Sequence, residues 1–174
     1  MGNNNDKALG TAFDYLEYLG TSDMTPEELK SEFYRLACTF YVSPGNERTY
    51  VVLSGLNENM PAAMQLFDQL LEDAQVNTEA YNNLVGDILK ARADAKLNQG
   101  QNFSRLMNYA MYGPKSPATN LLTEAELASM NPQELVDRIH NQNNYKHRIL
   151  YYGPSSSKDL LATIEQYHQR YRLL

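Results

Sequence analysis

The apolar positions along this chain recur with two different periods. In "KALGTAFDYLEYLG", Leu9, Phe13 and Leu16 stand at helical spacing, which predicts a helix from Asp6, as N-cap, to about Gly20. At about 100° per residue, Thr11, Asp14, Tyr15 and Tyr18 fall opposite that stripe. The helix therefore has a second, polar and tyrosine-bearing face, either simply solvated or lining a cavity or a second domain. After Gly20-Thr21, Thr25-Pro26-Glu27-Glu28 has the form of a capping box with proline at the first helical position. Leu29, Phe33 and Leu36 supply the stripe of this second helix.

The period then shortens. "TFYVS" and "RTYVVLSGL" are rich in β-branched and aromatic residues and flank the turn segment "PGNE", the pattern of a β-hairpin. A helix is expected from about Pro61, burying Met64, Phe67, Leu70 and Leu71. Another runs from Thr78 past Lys90 with Leu84, Val85, Ile88 and Leu89 inward. The pattern weakens between Gly100 and Asn120, where "RLMNYAMYGP" reads as a helix and "KSPATN" as loop. Two more capping boxes, Thr123 with Glu126 and Asn131 with Glu134, open further helices, the second carrying Leu135, Val136 and Ile139. "HRILYYG" reads as a strand. Ser155 to Ser157 cap a last helix with Leu160, Leu161, Ile164 and Tyr167.

These elements predict an α+β fold with an antiparallel sheet packed against several helices, in a single domain over residues 1–174. Three strands make a thin sheet, so the full sheet is expected to need strands from outside this stretch.

Composition narrows the function classes. A net charge of -6 makes the chain a poor default binder of nucleic acid. Lys90, Arg92 and Lys96 are interleaved with Asp87 and Asp94 and read as a solvated helix face. No apolar run is long enough to span a membrane. Cys38, the one cysteine, excludes an intrachain disulfide and a cysteine metal cluster; it reads as a buried thiol. The 13 tyrosines suit half-buried surfaces and can line a peptide-binding cleft.

Three local patterns have possible chemistry and a plainer reading. Asp137 and His140, with His147 nearby, resemble part of a metal site, but one histidine of a usual pair is missing and surface polarity accounts for them better. Ser155-x-x-Lys158 matches a serine–lysine nucleophile without its companion motifs, and serines ahead of a helix are usually caps. "YYGPSSSKDL" lacks the second glycine of a phosphate loop.

Taken together, helix 1 with Gly20-Thr21 and then "TPEELKSEFYRLACTFYVSPGNERTYVVLSGLNENMPAAMQLFDQLLEDA" resembles the insulinase–pitrilysin family of zinc peptidases, which includes the mitochondrial processing peptidases. "NLVGDILKARADAKLN" resembles the family's next helix, and "HRILYYGP" with the final helix its closing strand and helix. The resemblance implies the family's metallohydrolase-domain fold, with its first strands preceding Met1. Anchored on Gly20-Thr21, the family's H-x-x-E-H falls on Thr11, Asp14 and Tyr15, and its third ligand falls near Asp87. Neither histidine is present. The resemblance therefore implies the non-catalytic half of a two-half peptidase, with no catalytic residue, metal or cofactor in this chain and zinc held by the catalytic half. Thr11, Tyr15 and Tyr18 would face the substrate chamber. Partners would be the remaining domains of the same polypeptide or a catalytic subunit, together with a peptide substrate, and neither nucleic acid nor a membrane span. The competing readings are a metallopeptidase with other ligands and a stand-alone protein-interaction module.

Overall fold

The computed structural model describes residues 2–116 and 119–168; Pro117 and Ala118, in the expected "KSPATN" loop, lie outside them. Among the described residues the chain forms eight α-helices and one antiparallel hairpin. In order these are α1 (Leu9–Leu16), α2 (Pro26–Arg35), β1 (Cys38–Pro44), β2 (Thr49–Gly55), α3 (Met60–Asp73), α4 (Thr78–Leu97), α5 (Gln99–Tyr112), α6 (Glu124–Ser129), α7 (Pro132–His140) and α8 (Ser157–Tyr167). The fold is α+β.

Helix α1 is shorter than its periodicity suggests. Its N-cap is Ala8. Asp6 acts just ahead of it: Oδ1 accepts from the Ala8 N–H at 3.0 Å, and Oδ2 accepts from Arg138 Nε on α7 at 2.8 Å. Past Leu16 the backbone tightens, with the Tyr18 N–H donating to the Tyr15 carbonyl and Leu19 to Leu16. Gly20 is required by the turn that follows, because a Cβ there would run into the Met24 carbonyl. Thr21 closes this turn through its N–H to the Met24 carbonyl and its Oγ1 from the Met24 N–H.

The capping boxes at Thr25/Glu28 and Thr123/Glu126 both form. At α7 the cap is as read but the box is not: Asn131 accepts from the Gln133 N–H, and Pro132 holds the first helical position. The hairpin pairs Cys38 with Gly55 through Pro44 with Thr49. Gly55 is required here too, since a Cβ would strike Cys38 Sγ and the Ala37 carbonyl. Cys38 is buried, and Phe40 joins the core through Phe33 of α2 and Phe67 of α3, with ring centroids 4.9 Å apart in both pairs.

One buried cluster unites Leu9, Phe13 and Leu16 of α1, Leu70 of α3, Leu84 of α4 and Val136 and Ile139 of α7. Each such aliphatic side chain stabilises by about 1.5–3 kcal/mol relative to exposure. Helix α1 lies at the centre, against α7, β1 and α4.

Two expectations need correction. "HRILYYG" forms no strand: residues 146–152 pair with no ladder, and the one sheet is β1–β2. A strand needs a neighbour for its backbone groups, and Leu150 and Tyr152 instead stand out in solvent. The weak region is also more regular than read. Asn98 Oδ1 accepts from the Gln101 N–H at 3.0 Å, starting α5 at Gln99. None of its residues is buried, although Phe103, Leu106, Met107 and Met111 stand at helical spacing on one side. No helix among the described residues is long and apolar enough to cross a membrane.

Candidate functional site

The second face of α1 is narrower than the sequence suggests. Asp14 and Tyr18 are exposed and Thr11 is half-buried, but Tyr15 has no exposed surface. Tyr15 sits about 240° from Leu9 around the helix, at the border of the apolar stripe rather than opposite it. Its long ring reaches into the space between α1 and α4, where it meets the Tyr81 ring edge-on at 5.7 Å. Its hydroxyl donates to the Asn77 carbonyl at 2.7 Å and accepts from the Asn77 N–H at 2.9 Å. Tyr15 thus fastens the loop between α3 and α4 to α1. Burial pushes its phenol up, only partly offset by the Asn77 hydrogen bond. Tyr81 continues the chain of contacts, donating to the Leu127 carbonyl at 2.6 Å.

What remains open on this face is Thr11, Asp14 and Tyr18. Burial of the Asp14 carboxyl against its surroundings, and then the charge of Glu17, push its pKa up, although the residue as a whole faces solvent. Lys30 Nζ stands 6.0 Å from the Tyr18 ring centroid, at the limit of a cation–π contact. Asp87 is exposed on α4. It lies six residues, or roughly 9 Å of helix, beyond Tyr81, so the α4 side chain that meets Tyr15 is Tyr81 and not Asp87.

The other candidates separate. Asp137 takes the Gln133 amide, and His140 Nε2 lies 3.2 Å from the Ala74 carbonyl. His147 instead meets His168 and, through it, Asp68. Residues 68, 147 and 168 have no local spacing that would have brought them together in the sequence. Ser155 Oγ donates to Asn57 Oδ1 at 2.9 Å, and Ser156 is the N-cap of α8. Arg92 is not merely solvated: its guanidinium donates to the Leu122 carbonyl at 2.7 Å.

With this arrangement in view, the chain compares with two solved structures. The periplasmic protease PqqL from Escherichia coli superposes with a TM-score of 0.68 at 15% identity, over 96% of this chain and 18% of that one. The ferredoxin protease FusC, as a mutant in complex with Arabidopsis ferredoxin, superposes with a TM-score of 0.69 at 14% identity, over 92% of this chain and 18% of that one. The fold is that of a segment of each of these two proteases. No protein-family model and no curated protein sequence matches the chain. The likeness is one of fold, and the chain spans less than a fifth of either protease.

The family resemblance of the sequence implies a zinc ion, so the fit of the residues on α1 can be tested. Zinc peptidases hold the metal through three side chains and leave a position for water. The sequence resemblance sets the second histidine's place at Tyr15, whose oxygen is committed to both backbone groups of Asn77. Ligation would need the phenolate, which its burial disfavours. Thr11 offers a neutral hydroxyl. Among the described residues no group of three or more His, Cys, Asp and Glu side chains could hold a metal ion. These side chains do not fit a zinc site on α1.

Proposed function

We propose that this chain is a non-catalytic domain of an insulinase-type, two-half zinc peptidase, helping to enclose a peptide substrate and packing against the catalytic half. The observation that carries the reading is Tyr15: where the fold family's metal helix turns its second histidine to zinc, this chain uses a core tyrosine to secure the Asn77 loop. Two further features support it. The unpartnered apolar side of α5 suits a helix that packs on a neighbouring domain. Within the described residues β1 and β2 each have one neighbour, so a longer sheet can continue from an outer edge.

In this role zinc belongs to the catalytic half. The half-buried Thr11 and the exposed Asp14 and Tyr18 offer a hydroxyl, a carboxyl and an aromatic ring to an extended peptide. Binding of a fluorescent, unstructured peptide, followed by anisotropy, tests this. Saturable binding that weakens at least fivefold in Tyr18→Ala supports it. Binding unchanged in Tyr18→Ala and Thr11→Arg counts against the chamber assignment.

A further inference from the structure

Residues 146–152 have the composition of a strand and no strand beside them. Two side chains fasten the segment to the body. His147 is hydrogen-bonded to His168, which holds Asp68 of α3, and the Tyr151 hydroxyl donates to Asn57 Oδ1 just ahead of that helix. Along α3 the stretch from Asn57 to Asp68 covers roughly 16 Å. The four steps from His147 to Tyr151 approach that reach only when extended, at about 13 Å; in a helix they would cover roughly 6 Å. Exposure alternates as an extended segment requires: Ile149 is 42% exposed and Leu150 86%, Tyr151 is half-buried and Tyr152 is fully exposed. Among the described residues no backbone N–H or carbonyl of this segment has a hydrogen-bond partner.

Unpaired strand backbone is a template for another chain. The outward side chains select which one. Lys146 and Arg148 are exposed and have no ion-pair partner among the described residues. Leu150 and Tyr152 continue the same side with apolar surface. Opposite charges facing one another across a strand pair stabilise it, and like charges destabilise it. A second copy of this segment brings the same cations and no carboxylate, so the charges point to a different partner.

We propose that residues 146–152 accept an extended, acidic peptide strand. The pairing is antiparallel, the more stable arrangement per residue. Its apolar side chains lie beside Tyr152 and Leu150, and its carboxylates beside Arg148 and Lys146. The site uses no residue of α1 and is independent of the non-catalytic reading.

The probe is the peptide Thr-Val-Thr-Val-Thr-Glu-Thr-Glu-Thr, blocked at its ends, added to the whole chain and read by amide hydrogen exchange. At saturating peptide, alternate amides across residues 146–152 should exchange about tenfold more slowly or better, with those of α5 unchanged. The peptide with lysine in place of both glutamates should bind about fivefold more weakly. The double substitution Lys146→Glu and Arg148→Glu, on two exposed side chains, should reverse that order. Equal binding of the two peptides, or no slowing within 146–152, overturns the site. Slowing that appears without peptide and grows with protein concentration gives the strand to a second copy and overturns the partner assigned here.

Discussion

The hydroxyl of Tyr15 holds both backbone groups of Asn77, donating to its carbonyl at 2.7 Å and accepting from its N–H at 2.9 Å. This one side chain joins α1 to the start of α4. Tyr15→Phe removes the oxygen and leaves two backbone groups short of partners, at a cost of about 1–3 kcal/mol. Urea unfolding should show a lower midpoint with an unchanged slope. An unchanged midpoint would mean the Asn77 loop does not depend on Tyr15.

The same residue gives an alkaline pH dependence. Burial raises the phenols of Tyr15 and Tyr81 in the folded chain above the ordinary value near 10. A raised pKa means the folded state keeps its proton longer than the unfolded chain. The stabilisation is present below pH of about 10 and is lost as pH rises through the folded values. Stability should fall above that pH in the wild type and fall less steeply in Tyr15→Phe. Parallel pH profiles for the two proteins would contradict the assignment.

An acid-side prediction concerns Glu126. Lys7 Nζ donates to its carboxylate at 2.5 Å, and Thr123 donates through both its N–H and its hydroxyl. Led by the Lys7 hydrogen bond, these lower its pKa from 4.5 to about 2. The contribution is present above the unfolded value and is lost as pH falls toward about 2. Lys7→Ala should raise the Glu126 titration midpoint, read by carbon NMR, while the Thr123 bonds keep it below the ordinary value. A midpoint that does not move would show that Lys7 does not hold this carboxylate.

On α5 the large apolar side chains Phe103, Leu106 and Met107 are exposed. Leu106→Glu should therefore change stability by no more than about 0.5 kcal/mol, as for other surface substitutions, and should reduce binding of a hydrophobic dye. A loss above about 2 kcal/mol would show that this side of α5 is packed within the chain itself.

Elements set by neighbours in sequence were the legible ones. The capping boxes at Thr25/Glu28 and Thr123/Glu126 and the hairpin around "PGNE" rest on contacts a few residues apart. "HRILYYG" has the composition of a strand, but strand formation depends on a distant partner that composition does not encode. Tyr15 was misplaced because a residue at the border of a helical stripe goes where its ring finds space, and that space is made by Tyr81, 66 positions along the chain. The Asp68–His168–His147 relay spans 100 positions between its first two members and has no local signature.

The central proposal is that this chain performs no hydrolysis of its own. Its most direct test is incubation of the purified chain with a labelled, unstructured polypeptide at saturating Zn²⁺, with products followed by mass spectrometry. The polypeptide should remain intact at every zinc concentration. Zinc-dependent cleavage that disappears on chelation and in Asp14→Asn would contradict the account and make α1 a catalytic helix.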